Sequence, residues 1–197
     1  LDLRNEINTR FSVDSINMSY SDWVCKNTTL RSAPFNFKRF PFQKAIVDDL
    51  HPNLHVIKIS QVGLTETQIR KAAAFCARNR GVTVLMTFPN EPMMKKNSQT
   101  RVMPIIENDR VFNLNGGKPI RSVDIQQIGD SYLMVVPATE GSATSTPADF
   151  VMVDEVDLSN QQMVGLLGSR MQASSFRIMQ QFSTPTFENF GIHQGYS

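Results

Sequence analysis

The sequence predicts an α/β layer fold, a mainly parallel central sheet flanked by helices. Three observations predict it. Short, mainly apolar runs recur at residues 54–57, 82–88 and 150–153, the second of them rich in β-branched residues, as strands covered on both faces are. Stretches with helical periodicity separate them. The chain of 197 residues, 41% hydrophobic, is long enough for one domain with its own core.

Residues 1 to about 40 are polar and irregular, with scattered aromatics (Phe11, Tyr20, Trp23, Phe35, Phe37) and a turn signal at Pro34. Residues 1–37 read as an N-terminal arm or lid, and 38–197 as the domain proper. The segment Phe40-Pro41-Phe42-Gln43 leads into a short helix ending near Leu50, and the apolar strand 54–57 follows. A helix from Thr65 to about Arg80 is expected, with Ile69, Ala72, Ala73, Cys76 and Ala77 on its inner face. Residues 82–88, VTVLMTF, form a buried strand closed by Pro89, and 92–108 read as helical. Gly116, Gly117 and Pro119 mark a loop. Residues 122–128 and 132–136 pair as a hairpin through Gly129-Asp130. The Ser/Thr/Gly-rich stretch 139–147 is a loop into the strand at 150–154; a helix near 159–173 and a strand at 176–182 complete the pattern. In such a sheet a ligand belongs at the carboxyl ends of the strands.

The segment Lys58 to Thr67, KISQVGLTET, stands at the end of one apolar strand and opens a helix. That is where a phosphate-binding loop lies, but the usual pattern ends Gly-Lys-Ser/Thr. Here Gly63 is followed by Leu64 and Thr65, and the lysine occupies the first position. A loop curled round phosphates brings its ends together, so Lys58 can reach the same phosphates and Thr65 can still hold magnesium. An ordinary strand-to-helix turn is the alternative. Residues Phe150 to Glu155, FVMVDE, supply the second element: a wholly apolar strand ending in adjacent carboxylates, which repel and lose hydration unless a cation or partner meets them. Asp154 would hold magnesium and Glu155 would orient or deprotonate the attacking water of phosphoryl transfer. Here the alternative is an acidic helix N-terminus.

Composition narrows the field further. A net charge of +2 does not announce a nucleic-acid partner. Arg70, Lys71, Arg78 and Arg80 fall on one predicted helix, and Lys95, Lys96 and Arg101 follow; such runs are usually solvated faces. Two cysteines, Cys25 and Cys76, without paired spacing or a His/Cys cluster, support neither a disulfide framework nor a zinc site. The chain reads as intracellular, with no signal peptide or membrane-spanning run, and its first residue, Leu1, suggests a fragment or processed chain.

The lysine-first loop, the FPFQ segment, the Asp154-Glu155 pair followed by Val156-Asp157, and STPT at 183–186 about thirty residues later together resemble the ATPase half of phage terminase large subunits, in the GpA-like group. The similarity spans roughly residues 38–196. In that family the loop often begins with its catalytic lysine. The resemblance implies a P-loop NTPase fold of the ASCE type, with ATP and magnesium as cofactors. It implies Lys58, Glu155 and Thr184 as catalytic residues, and Phe42, Gln43, Lys58, Ser60, Gln61, Val62, Gly63, Leu64, Thr65 and Glu66 as nucleotide-binding ones. Magnesium falls to Thr65 and Asp154. Gln43 would read the adenine edge beside Phe42, and Ser183-Thr184-Pro185 would couple loss of the γ-phosphate to DNA movement. Without the family, Gln43 reads equally as a surface helix residue and STP as a plain turn. Implied partners are double-stranded DNA gripped without sequence preference, a portal protein, a terminase small subunit and further copies in a ring, with no membrane, in the cytoplasm of the infected bacterial host.

Two departures accompany the resemblance. Many relatives carry an arginine about ten residues before the aspartate, offered to a neighbouring subunit; the matching position is Thr144, which leaves Arg70, Arg101 and Arg121 as candidates by residue type. The nuclease half of the family has no counterpart within the 197 residues, so no nuclease activity is expected of them. Rival readings are a helicase-like translocase, distinguished by strand separation; a nucleotide-gated scaffold with negligible hydrolysis, against which Glu155 argues; and a nonenzymatic α/β binding module, which would not bind ATP. Residues 1–37 are left three roles: covering the adenine, reaching a neighbour, or docking the small subunit.

Overall fold

A computed structural model describes residues 17–113, 118–139, 141 and 146–196. The elements in order are α1 (Tyr20–Asn27), β1 (Thr29–Leu30), β2 (Ala33–Pro34), α2 (Gln43–Asp48), β3 (Asn53–Ile57), α3 (Leu64–Arg78), β4 (Thr83–Phe88), α4 (Glu91–Asn97), a π-helical segment (Ser98–Val102), α5 (Met103–Asn108), β5 (Ile125–Ile128), β6 (Ser131–Pro137), β7 (Phe150–Asp154), α6 (Gln161–Leu167) and β8 (Ile178–Ser183), with short 3-10 turns between and after them. Six strands form one sheet in the order β3-β8-β7-β4-β6-β5. All neighbours are parallel except β5, which pairs antiparallel with β6 through the turn expected at Gly129-Asp130. The loop strand β3 and the acidic strand β7 are separated by the last strand, β8.

The central strands are apolar in every position because the pleat sends alternate side chains to two covered faces. Val84, Met86, Phe88, Phe150 and Met152 enter the core packed against α3, while Leu85, Val151 and Val153 meet Val164, Leu167 and Met171 behind α6. The inner face expected for α3 is correct: Ile69, Ala72, Ala73, Cys76 and Ala77 are fully buried. Residues 92–108 are helical, interrupted by the π segment. Trp23, Val24 and Phe35, from the stretch read as an arm or lid, belong to this same core.

One expectation fails in part. Arg80, Lys95, Lys96 and Arg101 are exposed as a solvated basic face requires, but Arg70 is 1% and Lys71 0% exposed. Each of these two spends donors on buried acceptors, so neither polar head is left unpaired. Arg70 donates to Glu66 Oε1 (2.8 Å), to Glu66 O (3.1 Å) and to Thr29 O. Lys71 Nζ donates to Ile46 O (2.8 Å), Asp49 O (2.5 Å) and Gln180 Oε1 (2.8 Å), joining α2, α3 and β8. No described helix is long and apolar enough to cross a membrane.

Candidate active site

Three parallel strand ends converge on the site. β3 delivers Lys58, whose N–H donates to Ser183 O (3.0 Å) at the end of β8, and β7 delivers Asp154 and Glu155. Between β3 and α3 the loop turns at two left-handed residues, Gln61 (φ 64) and Gly63 (φ 72). Gly63 suits its position since glycine adopts that region freely. It is the N-cap of α3 and brings no side-chain hydrogen bond, so the first-turn amides keep their capacity to bind an anion. Leu64 holds the place the lysine takes in the usual pattern and is buried in the core. The cationic role passes to Lys58, whose Nζ lies 2.5 Å from Glu155 Oε1 and 3.9 Å from Asp154 Oδ1.

Thr65 Oγ1 donates to Asp154 Oδ2 at 2.6 Å. Burial pushes the Asp154 carboxyl above its ordinary range, against the pull of Lys58 and the Thr65 hydroxyl. A buried carboxylate beside a hydroxyl, both hard oxygen donors, fits a small divalent cation such as magnesium. Glu155 carries φ 54, a conformation costly for a residue with a Cβ and typical of functional sites.

A cavity of ≈ 1270 Å³ opens over this cluster. Lys58, Ser60 to Glu66 and Glu155 line it, joined by Thr29 to Ser32, Arg39, Arg70, Thr100, Arg101, Pro104, Ile105 and Asn108. Two of its cations are neutralised locally, Lys58 by Glu155 and Arg70 by Glu66. Arg31, Arg39 and Arg101 have no carboxylate partner among the described residues, so the wall is cationic and suited to a polyanion.

Other expected residues lie elsewhere. Gln43 is 3% exposed, which excludes the surface-helix reading. Its Nε2 donates to Val62 O (2.6 Å) and its Oε1 accepts from Thr67 Oγ1 (2.5 Å), so it clamps the loop and keeps neither amide end free for a base. Phe42, 53% exposed, offers an open ring beside it and packs edge-on to Phe40. Thr184 is half-buried and outside the cavity lining. Its neighbour Ser183 makes the connection, its Oγ accepting from Asp157 N at 3.1 Å. Among the arginine candidates, Arg70 is committed to Glu66 and Thr29. Arg121 is committed to carbonyls of Ile120, Gln127 and Phe112 and to Asn113 Oδ1. Arg101 is exposed at the cavity; Thr144 and the Gly116-Gly117 loop fall outside the described residues.

Sequence reasoning passed over two features. One is the turn at Arg31-Ser32, whose signal was only a polar pair between short extended segments. The other is the role of Asp157, noted in the sequence only for following the acidic pair: its carboxylate accepts from Thr186 N (2.8 Å), Thr186 Oγ1 (3.0 Å) and Ile192 N (2.9 Å). The STPT spacing brought Thr186 into view, but not what it binds.

A family profile described as "Phage terminase large subunit gpA, ATPase domain" matches residues 31–196. The chain belongs to that family. As a terminase ATPase domain it has a fold close to the structure titled "Crystal structure of the HK97 bacteriophage large terminase", with a TM-score of 0.69 at 8% identity over 89% of this chain and 39% of the other. A second structure, "Structure of large terminase from the thermophilic bacteriophage D6E (Crystal form 2)", aligns with a TM-score of 0.44 at 13% identity, over 64% of this chain and 32% of that one. The terminase domain thus spans about two-fifths of the length of the HK97 protein. No curated protein sequence matches it.

Proposed function

We propose that this domain hydrolyses ATP to drive double-stranded DNA into a viral procapsid. The observation that carries the reading is the meeting of Lys58, Asp154 and Glu155, from the ends of β3 and β7, with Thr65 from the first turn of α3 beneath one cationic cavity. Lys58 and the amides of Ser60 to Glu66 bind the phosphates, with Gln43 bracing the loop and Phe42 offering its ring to the base. Thr65 and Asp154 would hold magnesium, which when bound neutralises charge developing on the phosphate oxygens. Incoming phosphates compete with Glu155 for Lys58. Glu155, released, turns to the attacking water. Thr184, at the end of β8 and next to the Ser183 hydroxyl, responds to loss of the terminal phosphate.

DNA is gripped through backbone phosphates without sequence preference. The chain acts with a portal protein, a small subunit and further copies of itself in a ring, in the cytoplasm of the infected host. Calorimetric titration of ATP with magnesium into wild type and Lys58→Ala tests the site, with phosphate release measured for wild type and Glu155→Ala. Binding lost in Lys58→Ala, and turnover lost but binding kept in Glu155→Ala, are the expected results. Equal binding by wild type and Lys58→Ala would sink the loop assignment.

A further inference from the structure

The β1–β2 hairpin forms one wall of the cavity and is built in an unexpected way. Thr29 pairs with Pro34 and Leu30 with Ala33, which leaves a two-residue turn at Arg31 (φ 52) and Ser32 (φ 66). Such a turn, positive at both residues, is normally made by Asn-Gly because side chains strain it. Here an arginine accepts the strain, and it is one of the residues that line the cavity.

The hairpin is fixed at its base. Thr29 N and Oγ1 both donate to Asp109 Oδ1, at 3.0 and 2.7 Å, and Thr29 O accepts from the buried Arg70. Arg70 rests over the Phe35 ring, 4.6 Å from its centroid, and pairs with Glu66, next to Thr65. The turn is therefore tethered to the phosphate flank of the loop. Phe42 and the loop-bracing Gln43 lie outside the cavity lining. Arg101, from the π segment, lines the same cavity, and neither it nor Arg31 has a hydrogen-bond or ion-pair partner among the described residues.

We propose that Arg31, carried on the strained β1–β2 turn and seconded by Arg101, binds the terminal phosphate of the nucleotide in cis. The inference rests on the nucleotide-site reading above. It gives the N-terminal segment a defined task, supplying from within the chain a cation suited to the charge of phosphoryl transfer.

The test compares ATP and ADP, each with magnesium, titrated into wild type, Arg31→Ala, Arg31→Lys and Arg101→Ala, with thermal melts as a control for folding. Arg31→Ala weakens ATP about tenfold, the size of one charge-assisted hydrogen bond, and leaves ADP within about twofold. Arg31→Lys recovers part of the loss, and Arg101→Ala shows a smaller loss with the same preference. Equal weakening of ATP and ADP, or none, overturns the proposal. Mixing Arg31→Ala with Glu155→Ala protein separates cis from trans: recovered hydrolysis means that the arginine serves a neighbour, and the cis assignment falls. If wild type binds neither nucleotide, the site reading itself has failed, a result distinct from a change confined to Arg31→Ala.

Discussion

Asp154 is a carboxylate placed where charge is expensive. Burial raises its pKa, so the folded chain holds that proton to a higher pH than the unfolded chain does. The sign follows: with no cation bound, Asp154 subtracts stability as pH rises above the ordinary carboxylate range. Asp154→Asn is therefore expected to raise the melting temperature of the nucleotide-free domain while abolishing magnesium-dependent ATP binding; a fall in melting temperature would contradict this. Lys71 shows the same conflict with opposite charge. Burial lowers its pKa from 10.5 to about 7, while Asp49 and Asp48 pull the other way. Between those values the unfolded chain carries a proton that the folded chain lacks, so stability should climb from about pH 7 toward pH 10.5. Chemical denaturation of wild type and Lys71→Met across that range checks it, the variant losing that part of the climb.

At the scale of elements, the connections between segments matter more than the segments themselves. Gln43 joins α2 to the loop and to α3, so Gln43→Ala should weaken ATP and GTP by the same factor; a change in their ratio would return Gln43 to reading the base. Asp157 ties the turn after β7 to the chain after β8. Burial favours its protonated form, but the bonds from Ile192, Thr186 and Ser183 prevail and hold its pKa below the ordinary value. Its contribution is thus complete at neutral pH and lost as pH falls through the lowered pKa. A Cβ on Gly191 would overlap Asp157 Oδ1, at a residue whose φ is +56. Gly191→Ala and Asp157→Ala should each cost about 2–4 kcal/mol in denaturant unfolding, through overlap and strain in one and unmet donors in the other. The strands were legible in advance because of their apolar runs, and the meeting place of Lys58, Asp154, Glu155 and Thr65 because the first three sit at or just past the end of such a run and Thr65 opens the helix that follows one. Arg70 and Lys71 were misread because a charged residue shows in sequence as polar whether it faces water or a set of buried carbonyls. Gln43 was found but given a different task, since a side-chain amide carries no mark of the partner it will meet nineteen residues on.

For the whole molecule, the order of the strands counts most. β8 lies between β3 and β7, in register with each over five residue pairs, and both ladders are parallel. Its last residue, Ser183, accepts from Lys58 N through its carbonyl and from Asp157 N through its hydroxyl. This has a mechanical meaning. A tug on the chain beyond Ser183, directed along the strand, must slide β8 against two neighbours at once, breaking many hydrogen bonds together instead of peeling them singly. A strand loaded in shear on both edges is the stiffest handle a sheet can offer, and this one is anchored beside the two residues on which ATP chemistry would depend.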